Sequence, residues 1–107
     1  MIFYKKLYME SLGYVLDDFI PSEISGERAV DVSHIIGKGR GGDDRIENLM
    51  AVTREEHILY GENNEKLPYI LNTHRNFLEL NGVRYDNNWF EEKINFYKAL
   101  NEGISTT

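Results

Sequence analysis

Between Gly37 and Gly42 the chain carries four glycines in six residues, Gly37-Lys38-Gly39-Arg40-Gly41-Gly42, and this run constrains the fold more than any other feature. Glycine loses too much backbone entropy on ordering for such a run to continue a helix or a strand, so it must be a loop. The segments beside it, Ala29 to Ile36 and Ile46 to Val52, are rich in Val, Ile and Leu and read as short strands. Immediately beyond, Thr53 and Glu56 stand at capping-box spacing, which starts a helix at Arg54 that carries His57, Ile58 and Tyr60 before Gly61. The middle of the chain therefore reads β-loop-β-α.

Helical patterns flank that unit. Phe3, Tyr4, Leu7, Tyr8 and Leu12 recur at helical spacing, and Gly13 supplies the stop. Ile20-Pro21-Ser22 and Ser25-Gly26 then break the pattern. A longer helix is expected from about Glu65 to Leu80, with Pro68 tolerated in its opening turn, and Asn81-Gly82 ends it. The last helix is expected to start near Asn88, where Glu91 completes a second capping box, and to run to Gly103, with Ser105 to Thr107 as a loose tail. Trp89, Phe90, Phe96 and Tyr97 on that helix read as core or interface, and His74 as a surface or partner-face residue.

Composition bounds the rest. With 107 residues, 41% of them hydrophobic, the chain 1–107 is one domain with a modest core. It has no Cys, which excludes a disulfide framework and a cysteine-ligated zinc or iron–sulfur site, so packing alone must hold it. No apolar run approaches the roughly 18 residues of a membrane span, and the first residues lack the apolar stretch of a signal peptide. A soluble, cytoplasmic protein with no membrane partner is expected. The net charge of −6 argues against a protein that coats nucleic acid non-specifically, although a local site stays open. From Arg28 to Ile58 there are five basic and six acidic residues, so the middle segment is where an anion would bind.

Chemistry concentrates in that segment. His34 lies near the end of the first strand, Asn48 enters the second, and His57 lies in the following helix, at spacings of 14 and 9. One imidazole on a water and another on a metal would supply what phosphodiester hydrolysis needs: a base, and a cation to offset the phosphorane charge. A nucleotide cradle is a poor reading of the glycine run, because no Lys-Ser or Lys-Thr pair and no helix follow it. Taken singly, His34 and His57 would be ordinary hydrogen-bonded or half-buried histidines, and Asn48 a turn-bridging residue.

Taken together they match a pattern. The run DVSHIIGKGRGGDDRIENLMAVTREEHILYG, Asp31 to Gly61, resembles the HNH endonucleases of the ββα-metal (His-Me finger) superfamily, and Gly13 to Pro21 is similar to phage-type members. His34-Ile35, Gly41-Gly42, Asn48-Leu49 and His57 carry the resemblance in order and spacing. It implies an α+β fold in which a small ββα-metal unit at about 28–61 is flanked by one N-terminal and two C-terminal helices. It also implies a phage-like, DNA-cleaving hydrolase with one divalent cation, Mg²⁺ or Mn²⁺ before Zn²⁺ or Ni²⁺. His34 would be the general base, His57 a metal ligand, and Asn48 would fix the loop around the base or, as in some members, ligate the metal. Lys38, Arg40 and Arg45 are added as phosphate contacts because the loop brings close-set cations to one place.

Two departures matter. Many relatives have a metal-ligating His or Asp just before the catalytic His, where this chain has Ser33, so Asp31, two residues earlier on the same strand face, would have to take over. Zinc-stabilised relatives carry two CxxC pairs where this chain has Ser22 and Ser25, then Thr53 and Glu56, so no structural zinc is expected. These departures and the acidic charge motivate an alternative: a weak or inactive HNH-derived module that binds a protein or nucleic acid. A protein partner could equally supply the basic surface this chain lacks.

Overall fold

The computed structural model describes residues 2–61 and 63–103; the expected tail, Ser105 to Thr107, lies outside them. The described residues form an α+β fold of four α-helices and a two-stranded antiparallel sheet. Helix α1 (Phe3–Leu12) ends as its spacing predicts, with Gly13 at φ 78° and its N–H bonded back to the helix carbonyls. Strands β1 (Asp31–His34) and β2 (Leu49–Val52) pair in the register Asp31 to Val52 and His34 to Leu49. Helix α2 (Arg54–Tyr60) follows, and the hairpin of α3 (Leu67–Leu80) and α4 (Asn87–Asn101) closes the chain.

The sheet lies between two apolar clusters. Leu49 and Ala51 of β2 join Val32 and Tyr8 on the α1 side, whereas Met50 and Val52 join Leu71, Leu78, Phe90 and Ile94 of the α3–α4 hairpin. Alternate side chains of a strand face opposite ways, so the unbroken run Leu-Met-Ala-Val is what burial on both faces requires. None of the helices of the described residues is long and apolar enough to cross a membrane.

Three local expectations are corrected. Ile46–Asn48, read as strand, forms a 3-10 turn instead, because the Asn48 amide must reach the backbone of Ile36. Strand β1 covers only Asp31–His34 of the expected Ala29 to Ile36, while the glycine run is a loop as expected, with Lys38–Arg40 tightened into a 3-10 turn inside it. Helix α4 is capped by Asp86, whose carboxylate accepts from Trp89 N, and not by an Asn88–Glu91 box; Glu91 is bound to Arg75 at 2.5 Å. The capping box at Thr53 and Glu56 forms in both directions, with bonds of 3.1 and 2.9 Å. Trp89, Phe90 and Tyr97 are buried and Phe96 is exposed.

His74 departs furthest from its surface reading. It is fully buried, with Nδ1 2.6 Å from Glu23 Oε1 and Nε2 2.6 Å from the Ile46 carbonyl.

Candidate functional site

His34 closes β1 on the same strand face as Val32, the face that meets α1, and its ring lies 4.6 Å from the ring of Tyr4. Beside it opens a cleft of about 510 Å³, whose lining includes His34, Asp31, Ser33, Lys38, Arg54 and His57. Three of the sequence-selected residues thus share one cavity with His34: Asp31 from the start of β1, Lys38 from the glycine loop, and His57 from α2. No group of three or more His, Asp or Glu side chains among the described residues is arranged to hold a metal ion. The cleft lining holds one carboxylate, Asp31, and two imidazoles, His34 and His57.

Asn48 does not face the cleft. It is fully buried; its Oδ1 accepts from Ile36 N at 2.8 Å, and its Nδ2 donates to the carbonyls of Ile36 and Asp43 at 2.9 and 3.0 Å. With both amide atoms committed to backbone, Asn48 fastens the two ends of the glycine loop, which is the first of its two expected roles. The closeness of this fit explains Gly42, where a Cβ would lie 1.8 Å from the Ile36 oxygen and 2.9 Å from Asn48 Nδ2. Gly42→Ala is expected to lower stability by about 1–3 kcal/mol in urea titration. Gly39, where an added Cβ would meet nothing within 4 Å, provides the neutral control, and equal midpoints for the two variants would refute the close fit.

Of the three loop cations, Lys38 alone lines this cleft. Arg40 stacks over Tyr97 at 5.6 Å and donates to Asn64. Arg45 is held at 3.0 Å by Glu47, with Asp43 and Asp86 within 4 Å and the Trp89 ring beneath it. Both face α4, and Arg45 is offset by three carboxylates.

Three neighbours of the site were not selected from sequence. Asp44 Oδ1 lies 2.6 Å from His34 Nε2, and its Oδ2 accepts from Lys38 Nζ at 3.0 Å. Hydrogen bonds from His34 and then Lys38 hold its carboxyl below the usual carboxylate range. Arg54, exposed in the first turn of α2, is the second cation of the cleft. Its position three residues before His57 on one helix face is a signal that the sequence did contain. Tyr4 carried no such signal, since its spacing marks only a helix face.

The four positions that the sequence resemblance pairs with the thiolates of zinc-stabilised HNH proteins meet in one knot. Ser22 Oγ donates to Glu56 Oε1 at 2.5 Å and accepts from the backbone of Ile24 and Ser25, while Thr53 and Glu56 close the capping box. Burial opposes ionisation of Glu56, but hydrogen bonds from Ser22, Ser25 and Thr53 outweigh it and lower its pKa. The knot ties the turn before β1 to the start of α2, so it fixes the helix that carries Arg54 and His57.

The chain matches no family model, no curated protein and no solved structure.

Proposed function

We propose that the protein is a metal-dependent HNH-type endonuclease that hydrolyses DNA phosphodiesters in the His34 cleft, through a ββα-metal unit formed by β1, the glycine loop, β2 and α2. The observation that carries this reading is the convergence of His34, Asp31, His57 and two cations on one open cavity, although they come from positions up to 26 residues apart in sequence. The knot of Ser22, Ser25, Thr53 and Glu56 supports it independently, because the resemblance pairs those four positions and they do meet.

In this reading His34 accepts a proton from a water whose oxygen bonds to phosphorus, while the P–O bond to the leaving oxygen breaks and that oxygen takes its proton from solvent. Lys38 and Arg54 hold the non-bridging phosphate oxygens. Asp31 and His57 are the donors that would hold a divalent cation, with phosphate oxygens and water completing its shell. Such an ion would offset the negative charge that develops on the phosphorane and the leaving oxygen. Two protein donors make a weak site in the absence of DNA.

The test is relaxation of supercoiled plasmid at low salt with Mg²⁺, Mn²⁺, Zn²⁺ or Ni²⁺, against an EDTA control. Nicking that requires a cation upholds the proposal; a folded protein that cleaves with none of them overturns it in favour of a binding module. Arg54→Ala is expected to weaken DNA binding about equally for all sequences and to reduce the salt slope of log K by about 1. An unchanged slope in fluorescence anisotropy would take Arg54 out of the interface.

A further inference from the structure

We propose that Asp44 is a positioning residue that sets the tautomer of His34, so that Nδ1 is the atom that accepts the proton. This rests on the reading of His34 as the general base. A carboxylate can only accept hydrogen bonds, so at 2.6 Å from Asp44 Oδ1 the proton must sit on His34 Nε2. In the neutral ring Nδ1 then carries the lone pair. Among the described residues no buried side-chain nitrogen or oxygen lacks a partner, and none of those residues partners Nδ1. Nδ1 is therefore open to water. Asp44 is kept ionised by the same two hydrogen bonds that fix it, from His34 and Lys38.

The placement of Asp44 is built into the loop. The carboxylate is not part of the cleft lining, whereas His34 and Lys38 are, so it grips both from outside the cavity and leaves room for substrate. Asn48 Nδ2 holds the carbonyl of Asp43, the preceding residue, at 3.0 Å. A chain of contacts thus runs from the buried Asn48 amide through Asp43 and Asp44 to the imidazole. The Tyr4 ring, tilted 59° to that of His34 with its centroid 4.6 Å away, packs against the same imidazole. Asn48 acts on the base through this chain without touching it.

The test combines a spectrum with kinetics. With three histidines in the chain, ¹⁵N spectra of the imidazoles, taken well above the ordinary titration range of His, resolve each tautomer. Wild-type His34 is expected with the proton on Nε2, and Asp44→Ala with a mixture of tautomers. In plasmid nicking Asp44→Ala is expected to lower kcat about tenfold to a hundredfold with no rise in KM, because release of Lys38 leaves that cation free for phosphate. Asp44→Asn, which keeps the size of the side chain but can also donate, is expected to lose the tautomer preference with the fold intact by circular dichroism. A wild-type His34 protonated on Nδ1, or variants with wild-type tautomer and kcat, would overturn the proposal. Should the wild type cleave nothing, the nuclease reading fails, and the spectrum still decides: an Nε2 proton lost in both variants upholds the role of Asp44, and an Nδ1 proton ends it.

Discussion

His34→Ala is expected to reduce cation-dependent plasmid nicking by about 10²–10⁴-fold, the usual worth of a positioned general base, while leaving the fold in place. The reason for the second half is where the ring sits. His34 belongs to neither apolar cluster; its side chain, 14% exposed, contacts Tyr4 and Asp44 at the border of the cleft. Its removal leaves Asp44 paired with Lys38 at 3.0 Å, so no charge is stranded in the interior, and a stability loss of about 1 kcal/mol is expected. Activity and stability should therefore separate by orders of magnitude. Initial nicking rates with thermal melts on the same preparations check this, and a variant that nicks at the wild-type rate removes His34 from the chemistry. A matching His57→Ala variant distinguishes the two histidines: a metal ligand, unlike a base, is partly compensated by raising the cation concentration.

What could be read from sequence follows from the range of the interactions involved. The Gly13 stop and the Thr53–Glu56 box act within four residues, so their spacing alone located them. The misplaced cap of α4 has the opposite cause. Asp86 and Asn88 are both acceptable caps, and the choice falls to Asp86 because its N–H is held by Glu47, 39 residues away, while Arg75 takes Glu91. Arg45 looked like a phosphate contact because it stands beside a flexible loop, but the fold brings Asp86 from far along the chain to join its sequence neighbours Asp43 and Glu47 around it. The site divides the same way. Its His34, Asn48 and His57 scaffold was legible as a pattern, whereas Asp44 has no residue type or spacing that sets it apart from its neighbour Asp43. Only the folded loop, by turning one of the two toward the imidazole, makes them different.

His74 shows the largest gap between pattern and structure, and its replacement is expected to have the largest effect on stability. Its ring is enclosed by Glu23 Oε1 and the Ile46 carbonyl, each at 2.6 Å, so Nε2 donates to the carbonyl and Nδ1 shares a proton with the Glu23 carboxyl. Tyr8 completes the arrangement by donating to Glu23 Oε2 at 2.5 Å; burial, and then the charge of Glu23, push its pKa far up, so it stays a donor. The side chains of Glu23 and His74 are both fully buried. His74→Ala would leave the Glu23 carboxyl without its imidazole partner in the interior, at a cost of about 3–5 kcal/mol, a large share of the roughly 5–15 kcal/mol that holds a domain together. The melting temperature should fall by at least about 12 °C. Glu23→Leu/His74→Phe/Tyr8→Phe, which removes the three side-chain partners at once and leaves the Ile46 carbonyl to the Leu49 N–H, should cost less than the single His74→Ala change, since the penalty arises from stranding a buried polar group and not from lost attraction. A loss below about 1 kcal/mol for His74→Ala in urea titration would show the pair to be replaceable. The consequence reaches the cleft, because Ile46 opens the 3-10 turn that ends on Asn48: freeing its carbonyl loosens the residue that fastens the glycine loop. His74→Ala should therefore lose nicking activity at temperatures below its own melting transition.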